Sequence, residues 1–275
     1  MDFIKIKQKF DSKGWIFKEN LINESLIRDY KAKIQSIRSL QEFKIETLYF
    51  AKPHLRDLSI LDILFTEIMI SIINYLMDIS WSVFNMNHFK RSTGYTMHRD
   101  TAFYFVQPTK MLGIWIALQD ISYRQGPFFI IEESHKFPFD PLAKLIGPED
   151  HLFMKKSNNY NINDLKLRSD LYHSRLFKRY ANKNHKTKYF FPMRAGDVIF
   201  FDGSVFHGAL NSTNQNIINQ NRDSLVIHIT HCDSEMYTPD RFLKDFMVDM
   251  NINPDQRINR IIKDHNGVKY DINFT

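Results

Sequence analysis

The first 80 residues have apolar positions at helical spacing. Asn23 can cap a helix that runs to about Leu40, and residues 57–77 predict one or two further helices. Residues 10–17 predict a turn into a short strand. We therefore expect residues 10–80 to supply an N-terminal strand and scaffold helices.

From Trp81 onward, short β-rich segments separated by turn residues replace the helical spacing. The predicted strands form two blocks, 81–89, 103–106, 111–118 and 128–131 in the first and 198–201, 205–209 and 225–230 in the second. Two such blocks predict a mainly β protein with a double-stranded β-helix core, the jelly-roll or cupin-like fold, flanked by helices.

The polar residues 136–188 separate the two strand blocks and are rich in Asn and Lys. They predict a helix over 164–180, and residues 239–250 predict a closing helix. Because long excursions near a site often cover it, we expect 136–188 to form a lid or substrate wall, with a decorative insertion as the alternative.

The composition indicates that residues 1–275 form a single domain, because a chain of this length with 43% hydrophobic residues can fill one substantial core. Cys232 is the one cysteine, which excludes an internal disulfide framework and favours a reducing compartment. Residues 1–10 lack the apolar centre of a secretory signal. A cytoplasmic location is the resulting expectation.

The net charge of +6 is compatible with an acidic partner. However, the Lys and Arg residues are scattered, without a basic run and interleaved aromatics, so we expect no nucleic-acid partner. Asp62 and Glu67 interrupt the apolar stretch 58–77, which predicts packed helix and no membrane partner. We expect a monomer or homodimer that acts on a small-molecule substrate.

Candidate metal chemistry begins at His98-Arg99-Asp100. A His and an Asp two apart on an extended strand point to the same side, so both can reach one metal ion, and His207 would supply a third ligand. Two imidazoles and one carboxylate on one face of an ion leave the other face open, as in non-haem iron(II) oxygenases.

Two other interpretations of this triplet fail. A second His-x-Asp occurs at His231-Cys232-Asp233, but too little chain follows it for the strands that such a site needs. His-Arg-Asp also begins the catalytic loop of protein kinases, which requires an Asn five residues after the Asp and an upstream Gly-rich loop. Position 105 is Phe105 and no such loop precedes it, so the kinase interpretation fails.

Taken in order, the motifs of this chain resemble those of the phytanoyl-CoA dioxygenase family. They are MHRD at 97–100, WIALQD at 115–120, GP at 126–127, SHK at 134–136, AGDVIFF at 195–201, HG at 207–208, Asn211 and Arg222. The similarity covers about residues 10–230. It implies an oxygenase on a jelly-roll core that uses Fe(II), 2-oxoglutarate and O2, and it leaves the substrate unidentified.

The resemblance assigns metal binding to three residues and cosubstrate binding to three others. The metal ligands, which form the catalytic centre, are His98, Asp100 and His207, and the residues for 2-oxoglutarate are Arg222, Ser224 and Trp115. The Arg222 guanidinium would bind the far carboxylate through two parallel charge-assisted bonds, and Ser224 would add a third. Trp115 would form a wall. A solvated arginine, a plain strand serine and a core tryptophan are the structural alternatives.

Two positions bear on the reaction. Glu132-Glu133 replaces the Pro-Gly turn usual in the family, so Glu133 would meet a cationic or hydroxyl-rich substrate or face water. Asp100 stands where related halogenases carry Gly or Ala, so the resemblance favours oxygen insertion.

The expected reaction is hydroxylation of an aliphatic carbon of a small metabolite, with release of succinate and CO2. Desaturation or cyclisation would need only another substrate pose. The alternative is a catalytically silent jelly-roll protein that binds metal and 2-oxoglutarate as a sensor or accessory subunit.

Overall fold

The computed structural model describes residues 1–40, 49–78, 80–91, 97–102, 104–107, 110–137, 186–210, 222–237, 257–258 and 260–272. The helices predicted over 164–180 and 239–250 lie outside the described residues. So do Asn211 and nearly all of the 136–188 segment, so that its role as a lid or wall stays a prediction.

The described residues before the main β region form three α-helices: α1 (Phe3–Lys13), α2 (Glu24–Leu40) and α3 (Glu67–Met77). Helix α2 begins where predicted, with the Asn23 Oδ1 accepting a hydrogen bond from the Leu26 N–H at 2.9 Å. Helix α1 was not predicted. The turn expected after Phe10 is the end of this helix, where Gly14 adopts φ 83° and its N–H donates to the Phe10 carbonyl.

A 3-10 helix, Leu58–Leu64, leads into α3, so the prediction of one or two helices over 57–77 is confirmed. Within the described residues, no single helix is long and apolar enough to cross a membrane. Leu58–Leu64 and Glu67–Met77 pass that test of length and composition as a pair, bent by 82° at their break.

Each predicted strand segment overlaps a strand of the described residues. They are β1 (Trp15–Lys18), β2 (Tyr49–Ala51), β3 (Trp81–Phe89), β4 (Phe105–Gln107), β5 (Met111–Ala117), β6 (Phe128–Ile131), β7 (Lys188–Phe191), β8 (Val198–Asp202), β9 (His207–Ala209), β10 (Ser224–His231), β11 (Glu235–Tyr237), β12 (Arg257–Ile258), β13 (Ile262–His265) and β14 (Val268–Asp271). The prediction missed β2, β7 and the strands that follow β10.

The strands form the facing sheets of a jelly roll. The large sheet has the order β1-β8-β5-β10-β3-β14-β13, with β2 also pairing with β3. A second sheet has the order β7-β6-β9, and a third joins β12, β11 and β4. An apolar cluster with members from both of the first two sheets, among them Trp115, Phe128 and Ile199, fills the space between them. The predicted fold class is confirmed.

Strand β10 separates two environments. Leu225, Ile227 and Ile229 belong to the core that the large sheet shares with the helices. Val226 lies on the opposite face and packs against the cluster between the sheets. Since side chains alternate along a strand, Ser224 and His228 share the face of Val226 and point between the sheets. This face of β10 contributes Ser224 and His228 to the candidate site.

Candidate metal and cosubstrate site

His98 and His207 are held side by side by their own backbone. The N–H of each donates to the carbonyl of the other, at 2.9 and 2.8 Å. Their imidazole centroids are 4.4 Å apart. His207 begins β9, whereas His98 forms an isolated bridge with it. The fold thus brings together two histidines that are distant in the sequence.

Asp100 does not lie on the extended strand that the sequence predicted, and this expectation was wrong. The residue begins a short 3-10 helix, Asp100–Ala102, two residues after the bridge between His98 and His207. The side chain still points toward the histidines. Arg99 points elsewhere, with its guanidinium carbon 4.1 Å from the centroid of the buried Phe206 ring.

The three predicted ligands converge. One donor atom from each of His98, Asp100 and His207 lies within 4.8 Å of the other two. The Asp100 Oδ1 is 3.6 Å from the His98 Nε2 and 3.5 Å from the His207 Nε2. The His207 Nδ1 is 3.0 Å from the Val205 carbonyl, to which its N–H donates, so Nε2 is the ring nitrogen that faces the Asp100 carboxylate. Two imidazole nitrogens and one carboxylate fit a divalent transition metal.

His228 was not predicted, yet it contacts the same carboxylate. Its Nε2 is 3.0 Å from the Asp100 Oδ2 and its Nδ1 is 3.0 Å from the Asn85 Nδ2. Burial opposes ionisation of Asp100, but electrostatic attraction to the adjacent His207 and His228 holds the pKa of this carboxyl well below its usual range. The aspartate is therefore poised as an anionic ligand. The sequence signal for His228 was its place four residues after Ser224, which puts it on the same face of the strand.

Arg222 is buried and precedes β10. Its backbone N–H donates to the Lys90 carbonyl at 2.8 Å, and its Nη1 donates to the Gly126 carbonyl at 2.6 Å. Burial lowers the pKa of Arg222 to about 10. Its Nε and the Ser224 Oγ are both buried without a hydrogen-bond partner from the described residues. A cation and a hydroxyl with unused hydrogen-bonding capacity suit an incoming carboxylate.

Trp115 lies in the core and also beside Arg222. It is 2% exposed and belongs to the apolar cluster between the sheets, where its ring stacks on Phe128 with centroids 5.4 Å apart. Its ring centroid is also 5.9 Å from the Arg222 guanidinium carbon. Phe128 in turn lies 5.4 Å from the His207 ring centroid. A continuous aromatic wall therefore joins the arginine to the metal ligands.

Two further expectations concern residues near or outside the site. Glu133 pairs with Lys186 at 2.7 Å and Lys136 at 3.3 Å, and these hydrogen bonds lower the pKa of its carboxyl. It is therefore part of an ion-pair cluster. His231, from the second His-x-Asp, lies on the helix side of β10 with its Nε2 3.0 Å from the Met77 carbonyl, and Asp233 is exposed. The second triplet thus lies on the other side of β10 from Asp100.

A jelly roll with two histidines and an aspartate around one point, and a buried arginine with unused donors nearby, defines the class of iron- and 2-oxoglutarate-dependent oxygenases. The chain belongs to the phytanoyl-CoA dioxygenase family, whose model matches residues 65–217. The resemblance seen in the sequence is confirmed. The match contains the three metal-ligand positions and Trp115, and it ends before Arg222.

Solved structures similar to this chain share its fold at low sequence identity. The 2-oxoglutarate-dependent carbocyclase SnoK from nogalamycin biosynthesis has a TM-score of 0.60 at 15% identity, covering 93% of this chain and 92% of its own. The epimerase SnoN, in complex with Fe3+, 2-oxoglutarate and nogalamycin RO, has a TM-score of 0.59 at 16% identity over 84% of each chain. EctD from S. alaskensis, with 2-oxoglutarate and 5-hydroxyectoine, has a TM-score of 0.58 at 11% identity over 82% of this chain and 75% of its own. No curated protein sequence matches the chain.

Proposed function

We propose that this protein is an iron(II)- and 2-oxoglutarate-dependent oxygenase that hydroxylates an aliphatic carbon of a small metabolite and releases succinate and CO2. The observation that carries the proposal is the combination of two features on one jelly-roll core. His98, Asp100 and His207 offer three convergent metal donors, and Arg222 and Ser224 offer buried groups that suit a carboxylate.

Each group has a separate task. Iron, when bound, supplies the oxygen chemistry that side chains cannot perform. The two histidines and Asp100 would hold it from one side and leave the other side for ligands. Arg222 and Ser224 would orient 2-oxoglutarate by its far carboxylate, and the wall of Trp115 and Phe128 would exclude water from it.

Hydroxylation is favoured over halogenation by Asp100, because its carboxylate takes the position that a halide ligand would need. The solved neighbours include an epimerase and a carbocyclase, so this fold supports several outcomes. We therefore base the choice on Asp100 and test it by product analysis.

The metal and cosubstrate are tested first by anaerobic titration of Fe(II) and 2-oxoglutarate into the protein. A weak visible charge-transfer band is expected for the wild type and should be lost in His98→Ala and Asp100→Ala. His231→Ala is the matched control, because it removes a buried histidine on the opposite face of β10. A band that persists without His98 or Asp100, or that the wild type lacks, would contradict the assigned metal site.

The clamp is tested by Arg222→Ala, with the exposed Arg194→Ala as control. Removing one partner of a buried charge-assisted pair costs about 2–5 kcal/mol, so the affinity for 2-oxoglutarate should fall by about 30-fold or more. Metal affinity measured without 2-oxoglutarate should stay within a few-fold. Unchanged affinity for 2-oxoglutarate would remove Arg222 from the site.

Turnover is tested by measuring succinate across a library of small metabolites, against the background without substrate. A metabolite that raises succinate formation and gains one oxygen atom supports hydroxylation. A product two hydrogens lighter would indicate desaturation or cyclisation. Binding of iron and 2-oxoglutarate without turnover of any metabolite would favour the sensor or accessory role.

A further inference from the structure

His228 contacts the metal-binding carboxylate from the side away from the metal ligands. Asp100 divides its two oxygens between two sets of partners. Its Oδ1 lies 3.6 and 3.5 Å from the ring nitrogens of His98 and His207. Its Oδ2 lies 3.0 Å from the His228 Nε2, within hydrogen-bond distance. One oxygen therefore faces the metal position and the other is held by protein.

His228 is itself held in place. The Asn85 Nδ2 lies 3.0 Å from the His228 Nδ1 and donates to the Tyr104 hydroxyl at 2.8 Å. An amide N–H2 is a donor, so it pairs with the lone pair on Nδ1 and leaves the proton on Nε2, where it can be donated to Asp100. Asn85 and His228 are direct cross-strand partners on β3 and β10. The chain Tyr104, Asn85, His228 and Asp100 thus fixes both the ring orientation and the tautomer.

The backbone accommodates this arrangement locally. The register of β3 and β10 shifts immediately after His228, between His228 and Ile229. Such irregularities re-aim side chains near functional sites. The His228 side chain is 5% exposed and that of Asp100 6%, so water does not compete freely for their hydrogen bond.

We propose that His228 is a positioning residue that holds the Asp100 Oδ2 by a hydrogen bond, so that Oδ1 alone is presented to the metal. A carboxylate held at one oxygen binds through the other, which keeps the opposite face of the ion open for 2-oxoglutarate and oxygen. This inference rests on the metal site of the proposed function. Its consequence is that metal affinity depends on a residue that does not touch the metal.

The test compares His228→Gln with His228→Asn. The Gln amide can reach Asp100 and donate to it, whereas the Asn amide is one methylene shorter. The dissociation constant for Mn2+ alone is measured by electron paramagnetic resonance of the free ion, together with thermal unfolding of the metal-free proteins. Loss of such an outer contact costs about 10- to 100-fold in metal affinity, which is the loss expected for Asn, while Gln should stay within about threefold of the wild type.

His231→Asn is the matched control, because His231 is a buried histidine three residues further along the same strand on its other face. It should leave Mn2+ binding unchanged. If His228→Asn does not fold, Asn85→Leu takes its place, since it removes the bond that orients His228 and should also weaken Mn2+ binding.

Equal Mn2+ affinity in wild type, Gln and Asn variants would overturn the role of His228 and leave the proposed function standing. Equal weakening in the Gln and Asn variants would also overturn it, because packing and not the hydrogen bond would then matter. A wild-type protein that binds no Mn2+ would overturn the proposed function together with this inference.

Discussion

Arg222 should contribute little to the stability of the ligand-free protein, although it is buried. Burial lowers the pKa of Arg222 from 12.5 to about 10, so desolvation disfavours the charged side chain by about 3 kcal/mol. Its hydrogen bond to the Gly126 carbonyl stabilises the folded protein by about 1.5–3 kcal/mol, the range for bonds to charged groups. The two contributions nearly cancel.

The perturbation is Arg222→Met, which keeps an apolar stem and removes the charge. The Gly126 carbonyl then loses a donor at a cost of about 1–3 kcal/mol, while the desolvation of the charge is relieved by a similar amount. We expect the free energy of unfolding in urea to change by less than about 1.5 kcal/mol. Mn2+ together with 2-oxoglutarate at 100 times its dissociation constant should stabilise the wild type by about 2.7 kcal/mol beyond Mn2+ alone, and the variant by far less.

Arg260→Met is the contrasting variant. The Arg260 Nε pairs with the buried Asp271 at 2.7 Å, and its other nitrogens bind the Ser82 hydroxyl and three backbone carbonyls. Removing it should cost about 3–5 kcal/mol, since it breaks a buried ion pair. If Arg222→Met costs as much as Arg260→Met, or responds to 2-oxoglutarate like the wild type, then Arg222 is a structural residue and the reasoning is refuted.

Three further predictions concern other buried groups. Burial, with a smaller effect of Lys52, lowers the pKa of His54 to about 4. The unfolded chain binds a proton at this histidine below about pH 6.5, whereas the folded protein does not until about pH 4. The free energy of unfolding should therefore fall by up to about 3 kcal/mol between pH 6.5 and 4. The urea midpoint of His54→Leu should not show this fall with pH. If the midpoints of the variant and the wild type change with pH in parallel, the prediction is wrong. Ser224→Ala should raise the dissociation constant of 2-oxoglutarate by about 3- to 10-fold, in a calorimetric titration, without changing that of Mn2+. Gly113→Ala should destabilise by about 1–3 kcal/mol in urea, because the added Cβ would lie 2.2 Å from the Phe201 ring; an unchanged midpoint would show that this ring moves freely.

The strands that the sequence predicted are those whose apolar runs are long and bounded by turn residues. Trp81–Phe89 and Phe128–Ile131 were found with their bounds, because each is buried along nearly its whole length. The hairpin of Ile262–His265 and Val268–Asp271 was missed. Its first strand has no buried residue, so alternation of apolar and polar residues gave no signal. Helix α1 was missed because Gly14 is equally a turn residue and the end of a helix.

The structure brings together the three metal ligands that the sequence predicts, but the residues that contact them were not predicted. His98 and Asp100 are close in sequence, and His207 follows in a recognisable motif. Residue type and the order of the motifs were therefore enough to select these three residues. His228 depends on Asp100, which is 128 residues away, and no local pattern records such a pairing. The same holds for Arg222 and the Gly126 carbonyl, 96 residues apart. Contacts between distant strands follow from the register of the sheet, which the sequence pattern alone does not specify.

Strand β10 shows why the register matters to function. Ser224, Val226 and His228 alternate with Leu225, Ile227 and Ile229, and only the second set packs under the helices. The apolar contacts of the helix side therefore fix which side chains face the metal and the cosubstrate. A shift of the β10 register by one residue would turn Leu225 and Ile227 toward the candidate site and would bury Ser224 and His228 against the helices. The proposed cosubstrate clamp and the proposed support of the metal ligand thus depend on the same packing that holds the sheet together.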